Sequence, residues 1–215
     1  MLWPDGISPG EGIALDWINE KVVLGVSTRS LVPAIFDAYV RVFHPAYQVN
    51  QRTGEGRTVR WKEVADWSGQ EFSPSVSFSV IAGPTLGTES FPFGEPDQGR
   101  LDADTCTALK EILRLHTSSN AQCFFAFWDG YGIQDSIPFI KRGTLDGDSF
   151  LLVAGSIDLA CDFPVGPTLW WSVDRAWLVV TDIDNDSTVV GCSSAAAAAL
   201  FADPRLETLE LAPQS

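Results

Sequence analysis

The sequence is poor in basic residues. Its 215 residues include 14 Lys and Arg against 28 Asp and Glu, which gives a formal net charge of −14. After Arg142 only Arg175 and Arg205 are basic, whereas 11 residues are acidic. Nucleic acids and anionic membranes attract proteins with a positive field, so we expect neither as a partner. The charge permits a cationic partner, such as a basic protein, or a metal ion. The simpler interpretation is that the acidic surface only maintains solubility.

Long apolar runs and local cysteine pairs are also absent. Runs such as 150–155 and 195–202 are too short to span a bilayer, and the N-terminus has no features of a signal peptide. The four cysteines form no CxxC pattern, so no zinc knuckle or redox motif is predicted. Cys123 and Cys161 lie in apolar runs and are interpreted as small core residues. We therefore expect reduced cysteines and a cytoplasmic protein.

The pattern of short segments predicts an α+β fold, with a mostly antiparallel mixed sheet and two or three packed helices. It is expected to form a single domain over 1–215, with residues 1–12 as a loose or docked tail. Helices are predicted over 61–67 and 102–116, and in the alanine-rich segment that Ser193 or Ser194 caps. Alternation and short apolar runs predict strands over 13–26, 36–43, 73–82, 122–128, 137–142, 149–154, 174–182, 188–191 and 206–211.

The acidic segment after residue 181 is the first candidate for chemistry. Asp182, Asp184 and Asp186 alternate, so in an extended backbone they would share one face. Three carboxylates on one face repel one another unless a cation screens them, and Ca²⁺ and Mg²⁺ prefer oxygen ligands. This pattern predicts a metal site and, as an alternative function, a divalent-metal-dependent hydrolase. An exposed acidic turn after a buried strand is the simpler interpretation.

Two known motifs overlap this acidic segment. An EF-hand loop would need glycine at Ser187 and glutamate at Ser193, so the match is poor. Residues 184–188 resemble the DxDxT motif of haloacid-dehalogenase-like phosphatases, in which Asp184 would be the nucleophile. The later motifs of that family have no counterpart in the 27 residues that follow Thr188.

Tryptophans at predicted strand ends form the second candidate. Trp128 precedes the turn that contains Gly130, and Trp170 and Trp171 are adjacent, so alternation allows one of that pair to point outward. An outward Trp beside acids and an arginine would make a binding patch, since Trp and Arg are frequent interface anchors. The predicted binding residues are Trp128, Trp170, Trp171, Arg175 and Asp184. Capping of the core is the other interpretation for the Trp pair.

No catalytic residue and no cofactor are predicted. The chain contains no P-loop, GxGxxG or HExxH motif. His116 lies on the apolar stripe of its predicted helix, which is typical of a core or boundary residue. His44 ends a predicted strand beside Pro45, and the sequence shows no base partner or nucleophile for it.

Three segments, 41–46, 125–132 and 170–188, resemble a family of uncharacterised actinobacterial proteins. The resemblance implies no activity, ligand or catalytic residue. In size, acidity and tryptophan content the chain is also similar to bacterial immunity proteins and SMI1/KNR4-like proteins. The function predicted from the sequence is therefore a cytoplasmic, non-enzymatic protein-binding domain, immunity-like or regulatory, with an acidic, Trp-rich surface. The metal-dependent hydrolase is kept as the alternative.

Overall fold

The computed structural model describes residues 3–10, 15–19, 31–49, 56–88, 90–117, 122–133 and 141–212. The strands are β1 (Ser8–Pro9), β2 (Ala38–Phe43), β3 (Ala46–Val49), β4 (Gly56–Val59), β5 (Gln122–Trp128), β6 (Lys141–Leu145), β7 (Asp148–Ser156), β8 (Leu169–Ser172), β9 (Leu178–Val180), β10 (Ser187–Cys192) and β11 (Thr208–Glu210). The α-helices are α1 (Asp16–Asn19), α2 (Trp61–Ser68), α3 (Phe78–Ala82), α4 (Ala103–Leu115) and α5 (Ser194–Ala202).

Nine of these strands form one antiparallel sheet. Its order is β1-β7-β5-β8-β9-β10-β2-β11, and β6 pairs with β7 beside β1. β3 and β4 form a separate two-stranded ribbon. The sheet and the helices confirm the predicted α+β fold. In the part of the chain that the structure describes, no helix is long and apolar enough to cross a membrane.

Apolar clusters cover both faces of the large sheet. On one face, α4 and α5 pack over a cluster that includes Val40 and Trp170. On the other face, residues of α1 and 31–32 pack over a cluster that includes Trp171. All six residues of β10 and all four of β8 are buried as a result. The centre of the sheet therefore has no solvent-facing side.

A third cluster holds α2 and α3 against the end of β2. Trp61 and Phe78 meet with ring centroids 5.2 Å apart, and Phe43 lies 4.8 Å from the Trp61 ring. Glu207, far away in the chain, accepts hydrogen bonds from the backbone N–H groups of Trp61 and Lys62 at 2.6 and 2.9 Å. It thereby caps α2, whose N-cap residue Arg60 makes no side-chain cap.

Several predicted elements are confirmed, and others differ. β2, β5, β10 and α2 match their predicted positions closely, and Asp102 caps α4 through the N–H groups of Asp104 and Thr105. The strand predicted over 73–82 is wrong. Its second half is α3, because Phe78, Ile81 and Ala82 bury one helical face against α2.

Two further segments differ from the prediction at their ends. The strand predicted over 174–182 shortens to β9, because Arg175 adopts a positive φ of 58° and its N–H bonds to Ser172 O in a turn. Of the segment 13–26, residues 16–19 are the helix α1 rather than a strand, and residues 11–14 and 20–30 lie outside the described residues. Residues 3–10 are docked rather than loose, since β1 pairs with β7.

Candidate functional site

An acidic cavity of about 290 Å³ opens at one end of the sheet. Of its lining residues that the structure describes, four are aspartates and none is basic. Its wall consists of Trp128, Asp146, Asp148, Phe150, Thr168, Asp182, Ile183 and Asp184. We call this the acidic cavity. It brings together three residues singled out from the sequence, Trp128, Asp182 and Asp184, and adds Asp146 and Asp148.

The ends of neighbouring strands in the large sheet place these carboxylates together. Asp146 and Gly147, with φ of 51° and 88°, form the two-residue turn between β6 and β7. Positive φ at both positions is the geometry that Asp-Gly favours in tight hairpins. Trp128 pairs with Phe150 across β5 and β7, which sets the Trp next to the start of β7. Asp182 follows β9, two strands away from β5.

The indole of Trp128 is half-buried, and its neighbours fix its position. A Cβ added at Gly130 would lie 2.1 to 2.3 Å from three atoms of the Trp128 ring, so the ring occupies the space that only glycine leaves open. Tyr131 meets the same ring edge-on at 5.7 Å, and the backbone N–H of Trp128 donates to Thr168 Oγ1 at 3.3 Å. Burial raises the pKa of Tyr131, and nearby Asp182 and Asp184 raise it further.

The acidic turn is held by its own backbone. Asp182 is buried, and its Oδ1 accepts a hydrogen bond from the Asp184 N–H at 3.0 Å. The N–H of Asn185 bonds to Asp182 O, and Gly99 N–H bonds to Asn185 O, each at 3.0 Å. Asp184 is exposed at the mouth of the cavity. The simpler sequence interpretation, carboxylates that accept hydrogen bonds in a turn, describes Asp182 well.

Asp186 takes no part in the acidic cavity. Its carboxylate lies 3.7 Å from Arg41 Nη2, and burial raises its pKa while Arg41 opposes that rise. Arg41 is itself buried, which lowers its pKa to about 10, and it donates to the carbonyls of Pro74 and Val76. Among the described residues, no group of three or more His, Cys, Asp or Glu is placed to hold a metal ion. The predicted metal site at Asp182, Asp184 and Asp186 thus gains no support from the geometry.

The predicted binding patch is divided between surface and core. Trp170 and Trp171 are each 1% exposed, so the outward orientation that alternation allowed is wrong, and the other interpretation, in which the pair belongs to the core, describes both residues. The physical reason is that helices and loops from distant parts of the chain cover both faces of the sheet. Arg175 is exposed and stacks over Trp17 at 5.3 Å. Only Trp128 and Asp184 of the five predicted binding residues line the acidic cavity.

His44 belongs to a buried hydrogen-bonded chain that the sequence did not reveal. Its Nδ1 lies 2.7 Å from Asp97 O, its Nε2 lies 2.9 Å from Thr188 Oγ1, and Thr188 Oγ1 lies 2.7 Å from Thr181 Oγ1. A carbonyl only accepts, so Nδ1 carries the proton and Nε2 accepts from Thr188, whose oxygen accepts from Thr181. Burial lowers the pKa of His44, which keeps the ring neutral. Its partners are 53 and 144 residues away, and no local motif signals them.

One serine motif in the chain is a coincidence of spacing. Residues 6–10 read Gly-Ile-Ser-Pro-Gly, which matches the GxSxG pattern of serine hydrolases. In those enzymes the serine occupies a sharp turn from a strand into a helix. Here Ser8 lies within the strand β1 and its hydroxyl donates to Ala154 O. The motif therefore supplies no candidate nucleophile.

A disulfide joins Cys106 in α4 to Cys161, 55 residues later. This corrects the expectation that all cysteines are reduced and that Cys161 is a small core residue. The sequence could not indicate the pair, because its members are brought together only by the packing of α4 on the sheet. Cys123 and Cys192 are buried thiols, and burial raises the pKa of both, that of Cys192 to about 12. Such thiols are unreactive near neutral pH.

Comparison of the chain with models of protein families, with curated proteins and with solved structures gave no match. The resemblance to actinobacterial proteins stays a prediction.

Proposed function

We propose that the protein is a non-enzymatic binding domain that takes a basic segment of a partner protein into the acidic cavity. The observation that carries this proposal is the combination of a half-buried Trp128 ring with four aspartates in one concave wall. Among the described residues of this wall, none is basic. A concave surface with an aromatic wall and a few polar groups is the usual form of a recognition site.

The chemistry of the wall favours arginine as the anchoring side chain of the partner. A guanidinium stacks on an indole face and donates two parallel hydrogen bonds to a carboxylate. The exposed Asp184 lies at the mouth, where it would meet the partner first, while Asp182 lies deeper. The formal charge of −14 would speed the approach of a basic partner and make the association sensitive to salt.

A labelled Gly-Arg-Gly-Arg-Gly peptide provides the test, with Gly-Gln-Gly-Gln-Gly as its neutral counterpart. We expect saturable binding of the arginine peptide that weakens as salt rises. Asp184→Asn should weaken it by about threefold, as loss of an exposed charge pair does, and Trp128→Ala by more. The matched control is Asp66→Asn, since Asp66 is an exposed aspartate on α2, away from the cavity.

Two results would contradict the proposal. One is that the arginine peptide fails to bind at low salt. The other is that Asp66→Asn and Asp184→Asn weaken binding equally, which would mean that net charge and not the cavity attracts the peptide.

The cellular compartment of the protein determines whether the Cys106–Cys161 disulfide is present. The sequence favours the cytoplasm, whereas the Cys106–Cys161 disulfide is typical of an oxidising compartment. In a reducing cytoplasm the pair is expected as two thiols. The acidic cavity has neither cysteine in its wall, so the proposed binding is expected in both states.

A further inference from the structure

A second cavity of about 260 Å³ has the opposite electrical character. Its wall contains three aromatic rings, from Tyr131, Phe163 and Trp170. Arg100 is the only charged residue in the part of this wall that the structure describes. In a protein with twice as many acidic as basic residues, a cavity whose described lining residues include no carboxylate is a distinct chemical environment. We call it the arginine cavity.

Arg100 is available to a ligand. Its side chain is exposed, and among the described residues it forms none of the ion pairs. The other arginines near the sheet ends, Arg142 and Arg205, are engaged with Asp129 and with Asp203 and Glu111. An arginine that shares a cavity wall with aromatic rings favours a carboxylate or another planar anion as the ligand.

Thr181 adds a hydrogen-bond acceptor to the same wall. It lines the arginine cavity. Thr181 and Val179 are two residues apart, so their side chains lie on the same face of the sheet, and Val179 belongs to the apolar cluster that contains Trp170. The Thr181 hydroxyl donates its proton to Thr188, because the row of hydrogen bonds from Thr181 through Thr188 to His44 has a fixed direction. Thr181 can therefore accept a hydrogen bond from a ligand but has no second proton to donate.

The wall is fixed before any ligand arrives. Both cysteines of the disulfide, Cys106 and Cys161, line the arginine cavity and tie α4 to the loop that carries Phe163. Phe163 packs against Phe125 at 4.8 Å and Phe127 at 5.0 Å. A preformed wall avoids the entropic cost of ordering on binding.

We propose that the arginine cavity binds a small aromatic carboxylate with one ring and a hydrogen-bond donor. The rings of Trp170, Phe163 and Tyr131 suit a flat apolar body, Arg100 suits the carboxylate, and Thr181 suits the donor. The volume lies just below the range of about 300–1,000 Å³ typical of drug-sized ligands, so one ring fits and a nucleotide does not. This site is separate from the acidic cavity and does not depend on the function proposed for it.

The probe is 4-hydroxybenzoate, compared with 4-hydroxybenzamide, which lacks the charge, and benzoate, which lacks the donor. Ligand-observed NMR or calorimetry on the oxidised protein measures each affinity up to about 10 mM. We expect 4-hydroxybenzoate to bind most tightly. Arg100→Gln should weaken it by about tenfold and remove its advantage over the amide, as loss of a charge-assisted hydrogen bond does.

Controls separate this site from general attraction of anions. Arg57→Gln removes an exposed arginine that is absent from the cavity wall, and it should leave all three affinities unchanged. Thr181→Val should remove the advantage of 4-hydroxybenzoate over benzoate. The proposal is overturned if the wild-type protein shows no saturable binding of 4-hydroxybenzoate, or does not prefer it to the amide and to benzoate. It is equally overturned if Arg100→Gln and Arg57→Gln behave alike.

Discussion

Thr181 and Asp182 are consecutive in the chain, yet they line two different cavities. Thr181 shares its cavity with Trp170, which belongs to the cluster under α4 and α5. Asp182 shares its cavity with Phe150, which belongs to the cluster on the opposite face of the sheet. Side chains alternate between faces of an extended backbone, so the end of β9 supplies a neutral acceptor to one site and a carboxylate to the other. Two sites of opposite charge therefore share one short piece of backbone.

Gly130→Ala tests whether peptide binding depends on the position of the Trp128 ring, without removing the tryptophan. A Cβ at residue 130 would overlap the outer atoms of the Trp128 ring, so the ring must move. Those atoms lie at the free end of a half-buried side chain, and we expect a loss of stability under about 1 kcal/mol. Binding of the arginine peptide should nevertheless be lost, as measured by fluorescence anisotropy.

Gly56→Ala is the matched control for this substitution. A Cβ at residue 56 meets nothing closer than Gln48 O at 4.0 Å. If both alanine variants bind the peptide as well as the wild type does, the position of the Trp128 ring does not matter and the binding site lies elsewhere.

Gly99→Ala should destabilise the protein and displace the acidic turn. Gly99 has a φ of 69°, and an added Cβ would lie 2.7 Å from the backbone oxygen of Ile183. The left-handed conformation alone costs an alanine about 1–2 kcal/mol, and the clash with backbone adds to that loss. Urea unfolding should therefore show a lower midpoint. Because Ile183 lies between Asp182 and Asp184, peptide binding should weaken as well.

Gly94→Ala separates this effect from a general loss of glycine. Its added Cβ would make ordinary contact with Tyr47 at 3.6 Å. Equal unfolding midpoints for the residue 94 and 99 variants would contradict close docking of residues 98–100 on the acidic turn.

Features that depend on one short segment were predicted well. Features that depend on burial by residues far away in the chain were not. Asp102 signals the start of α4 because the cap and the apolar stripe lie within one segment. The same holds for β2, where alternation is visible over six residues. The sequence left the burial of Trp170 and Trp171 open, because residues that cover them, such as Trp17 over Trp171, come from distant parts of the chain. Local alternation cannot show that both faces of a strand are covered.

The two cavities also combine residues that the sequence singled out with residues that only the fold brings together. The sequence singled out Trp128, Asp182 and Asp184 but had no reason to bring Asp146 and Asp148 to them, because only the strand order β7-β5-β8-β9 does so. The arginine cavity was not foreseen at all. Arg100 lies in a stretch without regular periodicity, and its neighbours in the cavity come from four separate segments.

Reduction of the Cys106–Cys161 disulfide should lower the stability of the protein. Closing a loop of 55 residues restricts the unfolded chain, and such a bond typically contributes about 2–4 kcal/mol. We expect the free energy of unfolding in urea to fall by about that amount when a phosphine reductant is added. The affinity for 4-hydroxybenzoate should fall too, because both cysteines line the arginine cavity.

A double variant, Cys106→Ala with Cys161→Ala, provides the reference for the reduced protein. It should resemble the reduced wild type and show no response to the reductant, since Cys123 and Cys192 are thiols in both proteins. Unchanged unfolding of the wild type after complete reduction would argue that the disulfide contributes nothing to stability.

His44 should make the protein less stable as the pH falls below about 6.5, which is the ordinary pKa of histidine. Burial lowers its pKa in the folded state, with opposing contributions from the Asp97 carbonyl and from Asp102. Between the folded and unfolded pKa values the unfolded chain binds more protons, so stability rises with pH in that window and is lost on acidification. The slope is at most about 1.4 kcal/mol per pH unit for one group, and above the unfolded pKa the effect is absent.

The measurement is the free energy of unfolding from pH 8 to about 5 for the wild type and for His44→Gln. Asp186 and Glu207 have raised pKa values and contribute with the opposite sign at lower pH, but they are present in both proteins and cancel in the difference. We expect that difference to be constant above about pH 7 and to shrink as the pH falls, because only the wild type must take up a proton on unfolding. A difference that stays constant down to pH 5 would mean that His44 titrates normally, which its hydrogen bond to Asp97 O and its burial argue against.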